Sequence, residues 1–169
     1  MPGFKFDYPP LLAPGRHYLT LPEVYGLCVT PFDGDALSCR EKLYYAMEQL
    51  IQSLLTARIC CEVIVDGSFL TAKPMPEDVD VKVYIDVNAY DLLDDQQLFV
   101  YNSVNEDGYT VGVDKSAWVT YPRGHPDFGS ALDLGNSSED YGLEHSGIWL
   151  KGYVVLRLWE TDVGIRIRR

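Results

Sequence analysis

The chain has 169 residues, of which 14 are basic and 25 acidic, for a formal net charge of −11; 47% are hydrophobic and 23% charged. That is an ordinary composition for a soluble globular domain large enough to bury its own core, and its acidity excludes nucleic-acid binding by simple charge attraction, because a phosphate backbone is repelled unless basic residues cluster. The one basic cluster, Arg166, Arg168 and Arg169, reads as a solvated C-terminal tail, and no apolar run approaches the roughly 18 residues needed to span a bilayer.

Met1 to Pro10 lacks the basic-then-apolar design of a secretory signal. Cys28, Cys39, Cys60 and Cys61 form no C-x-x-C pair and no zinc spacing with the three histidines, so they read as free thiols of a cytoplasmic protein. Adjacent Cys60 and Cys61 run into an apolar strand and are expected to face opposite sides. No repeat or long linker divides the chain, which predicts a single domain over residues 1–169, with an extended N-terminal segment (1–18) and an irregular segment (122–147).

In chain order, Thr20-Leu21-Pro22-Glu23 has the spacing of a capping box with proline in the first turn, and predicts a short helix from about Leu21 to Val29. Ser38-Cys39-Arg40-Glu41 repeats that start signal before a longer helix, about Cys39 to Ala57. In it Leu43, Met47, Leu50, Ile51, Leu54 and Leu55 form an apolar stripe. Strands follow at about Cys60–Val65 and Val79–Val87; in the second, Val79, Val81, Val83, Ile85 and Val87 alternate with Asp78, Asp80, Lys82, Tyr84 and Asp86.

Asn88 is a candidate cap for a helix over about Ala89 to Val104. Glu106-Asp107-Gly108 reads as a turn, Tyr109–Val113 and Ala117–Tyr121 as strand broken at Asp114-Lys115, and Ile148–Glu160 as a last strand weakened at Gly152. Trp118, Trp149 and Trp159 read as core or interface bulk. The order of helices and strands predicts an α/β (α+β) domain with a mixed sheet flanked by helices.

The chemistry concentrates between Val65 and Ile85. Gly67-Ser68 ends one strand, a loop with Pro74 and Pro76 follows, and the next strand opens with Asp78 and Asp80. Residues i and i+2 of a strand share a face, so these carboxylates are expected to stand together and look towards a turn whose backbone N–H groups can hold phosphate oxygens. Hard divalent cations carrying substrate phosphates need oxygen ligands of this kind, and two-metal phosphoryl transfer needs two or three carboxylates. Asp114, after Val111-Gly112-Val113, is the first choice for the third; Asp133 is held in reserve, and Asp107 reads as a turn former. Lys82 or Lys73 is a candidate to neutralise phosphate charge, with an ion pair between Lys82 and Asp80 or Asp86 as the alternative. His125, between Gly124 and Pro126, is read as part of a surface turn, and His17 and His145 lack supporting neighbours.

Gly67-Ser68, nine residues, then Asp78-Val79-Asp80 resembles the signature of the polymerase-β-like nucleotidyltransferase superfamily. More closely, Val65-Asp66-Gly67-Ser68-Phe69 with Lys73-Pro74 is similar to small bacterial nucleotidyltransferase-like proteins, as are Leu12-Ala13-Pro14-Gly15-Arg16-His17 and Tyr121-Pro122-Arg123-Gly124-His125-Pro126. The resemblance implies a nucleotidyltransferase-type sheet and an NTP bound through Mg²⁺ or Mn²⁺. It implies phosphate contacts at Gly67 and Ser68, metal ligands at Asp78 and Asp80, and transfer of a nucleoside monophosphate to a protein or small-molecule acceptor. It also brings a toxin–antitoxin or defence setting within reach. Many members add a helical domain that holds base or acceptor, and little of this chain could form one. The alternative implied is therefore an inactive relative, a nucleotide-binding sensor or an interaction module.

Overall fold

Period-two alternation and one long amphipathic stripe dictate the architecture, seen in a computed structural model that describes residues 8–106, 109–128 and 152–159. Among these residues, six strands form one mixed sheet. Its order is β1 (Gly15–Tyr18), β6 (Gly152–Arg157), β2 (Glu62–Asp66), β3 (Val79–Asp86), β5 (Val113–Thr120), β4 (Tyr109–Thr110). β1 pairs parallel with β6 and β3 with β5; the other neighbours are antiparallel. The helices are α1 (Leu21–Cys28), α2 (Gly34–Thr56), α3 (Val87–Tyr90) and α4 (Asp95–Glu106). The fold is α+β with a mixed sheet.

Alternation divides the sheet into two faces. Val63, Val65, Val81, Val83 and Leu156 are buried in one core with Leu43, Met47, Ile51 and Leu54 of α2 and Tyr101 and Val104 of α4. Each such side chain withdrawn from water contributes about 1.5–3 kcal/mol, so the helix-covered face is the one that holds the sheet. On the opposite face Ile64, Tyr84 and Val155 form a smaller cluster with Trp118 and Tyr153 packed against it, while Trp159 is half exposed.

The Thr20 capping box forms as its spacing predicts: the Thr20 amide donates to Glu23 Oε2 at 2.7 Å, and the Glu23 amide to Thr20 Oγ1 at 3.4 Å. The second start signal does not act. α2 begins at Gly34, not near Cys39; Ser38 Oγ donates back to the Gly34 carbonyl, and Glu41 accepts the Tyr25 hydroxyl at 2.6 Å instead of capping. Leu50 and Leu55 lie at the border of the buried stripe. α2 ends in a Schellman motif, with Ile59 N–H on the Leu54 carbonyl and Arg58 N–H on that of Leu55. Arg58 takes the left-handed position at φ +57°. Arg58→Gly is expected to raise stability by about 0.5–1 kcal/mol, read as a higher urea midpoint; an unchanged or lower midpoint would contradict the strain.

Three further boundaries differ from expectation. The helix expected over Ala89–Val104 is two helices: Asp86, not Asn88, caps α3 by accepting from the Asn88 amide at 2.9 Å, and Asp94 and Gln97 exchange backbone–side-chain bonds at the start of α4. Asp114-Lys115 does not break a strand; the interruption is at Val111-Gly112, and β5 runs unbroken through Asp114. β1, unforeseen, pairs with β6, where Gly152 opens the described part of the last strand and packs against the Ala13 carbonyl and Leu12. Gly152 therefore serves a close approach of the N-terminal segment. Cys61 is buried and Cys60 exposed, as neighbours in extended chain should be, and burial pushes the Cys28 and Cys61 thiols up to about 12. No described helix is long and apolar enough to cross a membrane.

Candidate functional site

β2 ends at Asp66, and Gly67 follows at φ +84°, ψ −163°, a region open essentially to glycine alone. Ser68–Leu70 then makes one turn of 3-10 helix, closed by Leu70 N–H on the Gly67 carbonyl at 3.2 Å and by Thr71 N–H and Oγ1 on the Ser68 carbonyl at 3.1 and 2.7 Å. After the Pro74–Pro76 loop the chain returns as β3, antiparallel to β2, with Asp80 opposite Asp66. The Asp80 carboxylate lies directly on the bare Cα of Gly67: a methyl there would collide with Oδ2 and stand 2.8 Å from Cγ. The turn glycine and the second acid of the Asp-x-Asp pair are thus in contact. Gly67→Ala combines a strained backbone with this collision and is expected to cost about 3 kcal/mol. A denaturation midpoint close to wild type would show that the turn tolerates a side chain.

Asp80 is in parallel register with Asp114 of β5. Neighbouring strands lie about 4.8 Å apart, so Asp66, Asp80 and Asp114 form one acidic rung across β2, β3 and β5. Asp78 sits one residue ahead of β3 and is half-buried; Asp80 is half-buried and Asp114 exposed. Among the described residues, no three His, Cys, Asp or Glu side chains stand close enough to hold one metal ion. The backbone aligns the acids, and the side chains are not gathered. The donor set itself, oxygen only and seated beside a glycine cradle, is of the type a hard divalent cation takes. Asp107 and Asp133 lie outside the described residues, as do His145 and Trp149.

Lys82 shares the face of Asp80 and stands in register with Ile64 and Ser116. Lys73 is turned to Glu77, 3.9 Å away, and Asp86 is engaged as the cap of α3. His125 belongs to a turn: its amide donates to the Pro122 carbonyl, its ring stacks on Tyr121 at 4.6 Å, and Nδ1 accepts the Asp127 amide. His17 Nε2 lies 2.7 Å from the Ala13 carbonyl, in the packing of β1.

Two residues that sequence reasoning passed over lie at this site. Asp66 was visible only as the residue before Gly67; its membership of the rung depends on register. Arg40 is fully buried. Its Nη1 donates to the carbonyls of Cys28 and Phe69, both at 2.9 Å, and its Nη2 to those of Thr71 and Lys73, both at 2.6 Å. The Phe32 ring lies 3.7 Å from the guanidinium carbon. Burial pushes the Arg40 pKa down to about 10, so the group stays charged at neutral pH. The signal was an arginine three and seven residues before Leu43 and Met47, in line with the apolar stripe. On its outer side the same loop is tied to the N-terminal segment, by Ala72 N–H on the Pro9 carbonyl and Leu11 N–H on that of Leu70.

A family described as a family of unknown function (DUF6932) matches residues 4–125, which is most of the chain and includes Arg40, Asp66, Gly67, Ser68, Asp78, Asp80, Lys82 and Asp114. The chain belongs to that family. No curated protein and no solved structure matches it.

Proposed function

We propose that this member of the family binds a nucleoside triphosphate with Mg²⁺ or Mn²⁺ at the acidic rung and moves its nucleoside monophosphate to a hydroxyl of a protein or small-molecule acceptor, releasing pyrophosphate. The contact between the Asp80 carboxylate and Gly67 carries this reading, because it joins a phosphate-type turn to a metal-type acid. Asp114, in register on the next strand, extends it.

In this reading Gly67 and Ser68 hold phosphate oxygens, Asp78 and Asp80 hold the cations, and Asp114 orients or deprotonates the acceptor hydroxyl. Lys82, on the same face as Asp80, meets triphosphate charge. Divalent cations, when bound, supply charge neutralisation and a more acidic attacking hydroxyl. The contribution of the chain is positioning and fixed charge.

A second reading, a nucleotide sensor or interaction module without catalysis, is favoured by one observation: the described acids are not gathered into a metal-holding trio. Calorimetric titration of each NTP with Mg²⁺ or Mn²⁺, on wild type and on Asp78→Ala/Asp80→Ala, tests the site. Metal-dependent binding that the double substitution removes supports it, and binding that survives places the nucleotide elsewhere. No binding by wild type removes the nucleotide from both readings and leaves a contact-only protein. Transfer from labelled NTP then separates enzyme from sensor.

A further inference from the structure

We infer that Arg40 is a positioning residue for the Gly67–Ser68 turn, holding the turn against Asp80 by ordering the carbonyls that follow it; this rests on reading that turn as the phosphate site. A buried cation ordinarily meets a carboxylate, which offsets the cost of removing it from water. Among the described residues, the hydrogen bonds of the Arg40 guanidinium all go to backbone carbonyls. Three of these belong to Phe69, Thr71 and Lys73, alternate residues of the segment that leaves Ser68. The fourth, Cys28, is the last residue of α1.

The pattern serves geometry more than charge pairing. A planar guanidinium fixes the direction of its acceptors, which a flexible ammonium does not, and the Phe32 ring stacked on it limits its tilt. The segment from Gly67 to Asp78 has little ladder of its own, with one isolated bridge between Pro10 and Thr71. Arg40 is carried on a 23-residue helix packed on the sheet, so it transmits that rigid frame to the loop. The Phe69 carbonyl belongs to the Phe69–Leu70 peptide, whose N–H closes the 3-10 turn on the Gly67 carbonyl, so holding it fixes the turn and the approach of Gly67 to Asp80. Local opening of the segment would release the turn without unfolding the core.

The test is hydrogen exchange on the full-length protein and its Arg40→Lys variant, with Mg²⁺–NTP titration of both. Arg40→Lys keeps the charge and loses the fork. Exchange at the Leu70, Thr71 and Ala72 amides is expected to rise about tenfold or more relative to the β3 amides, with nucleotide affinity falling by about tenfold. Loop and β3 amides changing by the same factor would mean that Arg40 supports the whole fold without positioning the turn, and would overturn the inference. So would faster loop exchange with unchanged affinity in a wild type that binds nucleotide. If Arg40→Lys does not fold, Phe32→Leu, which removes the stacked ring and leaves the guanidinium, is expected to produce the same loop-selective pattern at smaller size; uniform or absent change there overturns it equally. A wild type that binds no NTP removes the proposed function, while the exchange pattern still decides whether Arg40 holds the turn.

Discussion

Replacing Asp80 with Asn is expected to remove metal-dependent nucleotide binding while leaving the metal-free protein folded and slightly more stable. Asp80 stands in register between Asp66 and Asp114, and like charges directly opposite one another on neighbouring strands disfavour pairing by about 0.2–1 kcal/mol. Asn keeps the shape that lies on Gly67 and removes the central charge, so the metal-free melting temperature should hold or rise. Ligand reverses the order. A wild type held at about 100 times its dissociation constant gains roughly 2.7 kcal/mol, and the Asn variant should gain almost none. Thermal melts with and without Mg²⁺–NTP read both effects together. An Asn variant stabilised as much as wild type would exclude Asp80 as a ligand. A variant less stable without metal would show that Asp80 is retained for the fold.

Arg40→Ala is expected to be the most destabilising of these substitutions, by about 4 kcal/mol or more. Four buried or partly buried carbonyls lose charge-assisted donors at once, and each such bond is worth about 1.5–3 kcal/mol, not additively. An apolar replacement of similar size does not escape the loss. Exchanging a buried ion pair for apolar residues can be neutral because both partners are replaced, whereas these acceptors are backbone and remain. Arg40→Met should therefore approach Arg40→Ala. Arg40→Lys, with three donors for four carbonyls, should fall between them and wild type. Against a total stability of about 5–15 kcal/mol, the Ala variant approaches the threshold of folding. Urea denaturation of the three variants gives the order, and a loss below about 1 kcal/mol for Ala would show the carbonyls to be re-satisfied by water.

What was legible in the chain was local. The Thr20–Glu23 capping box and the alternation of β3 are properties of residues within one turn or one strand of each other, and both appear as read. The same logic failed where a distant residue competed. Ser38-x-x-Glu41 has the spacing of the first cap, yet Glu41 takes the Tyr25 hydroxyl and the helix runs back to Gly34. At Asp94–Gln97 a reciprocal cap divides what the sequence reads as one long helix.

The acids divide in the same way. Gly67-Ser68 and Asp78-x-Asp80 are a pattern in sequence, and the apolar alternation before Asp114 puts it at or in a strand, although β5 runs through it where a break was expected. The parallel pairing of β5 with β3, which sets Asp114 beside Asp80, and the antiparallel pairing that adds Asp66 are long-range choices of register. A slip of one residue would have turned each acid to the other face.

By itself the sequence determined the mixed α+β class, the apolar stripe of α2, the first helix cap and the acidic strand, because periodicity and capping depend on near neighbours. Only the tertiary structure decided that the acids of three strands share one rung, that Asp80 rests on Gly67, and that a buried arginine orders the loop between them. Those facts depend on which segments pack together, and packing is settled by burial over the whole core rather than by any short run of residues.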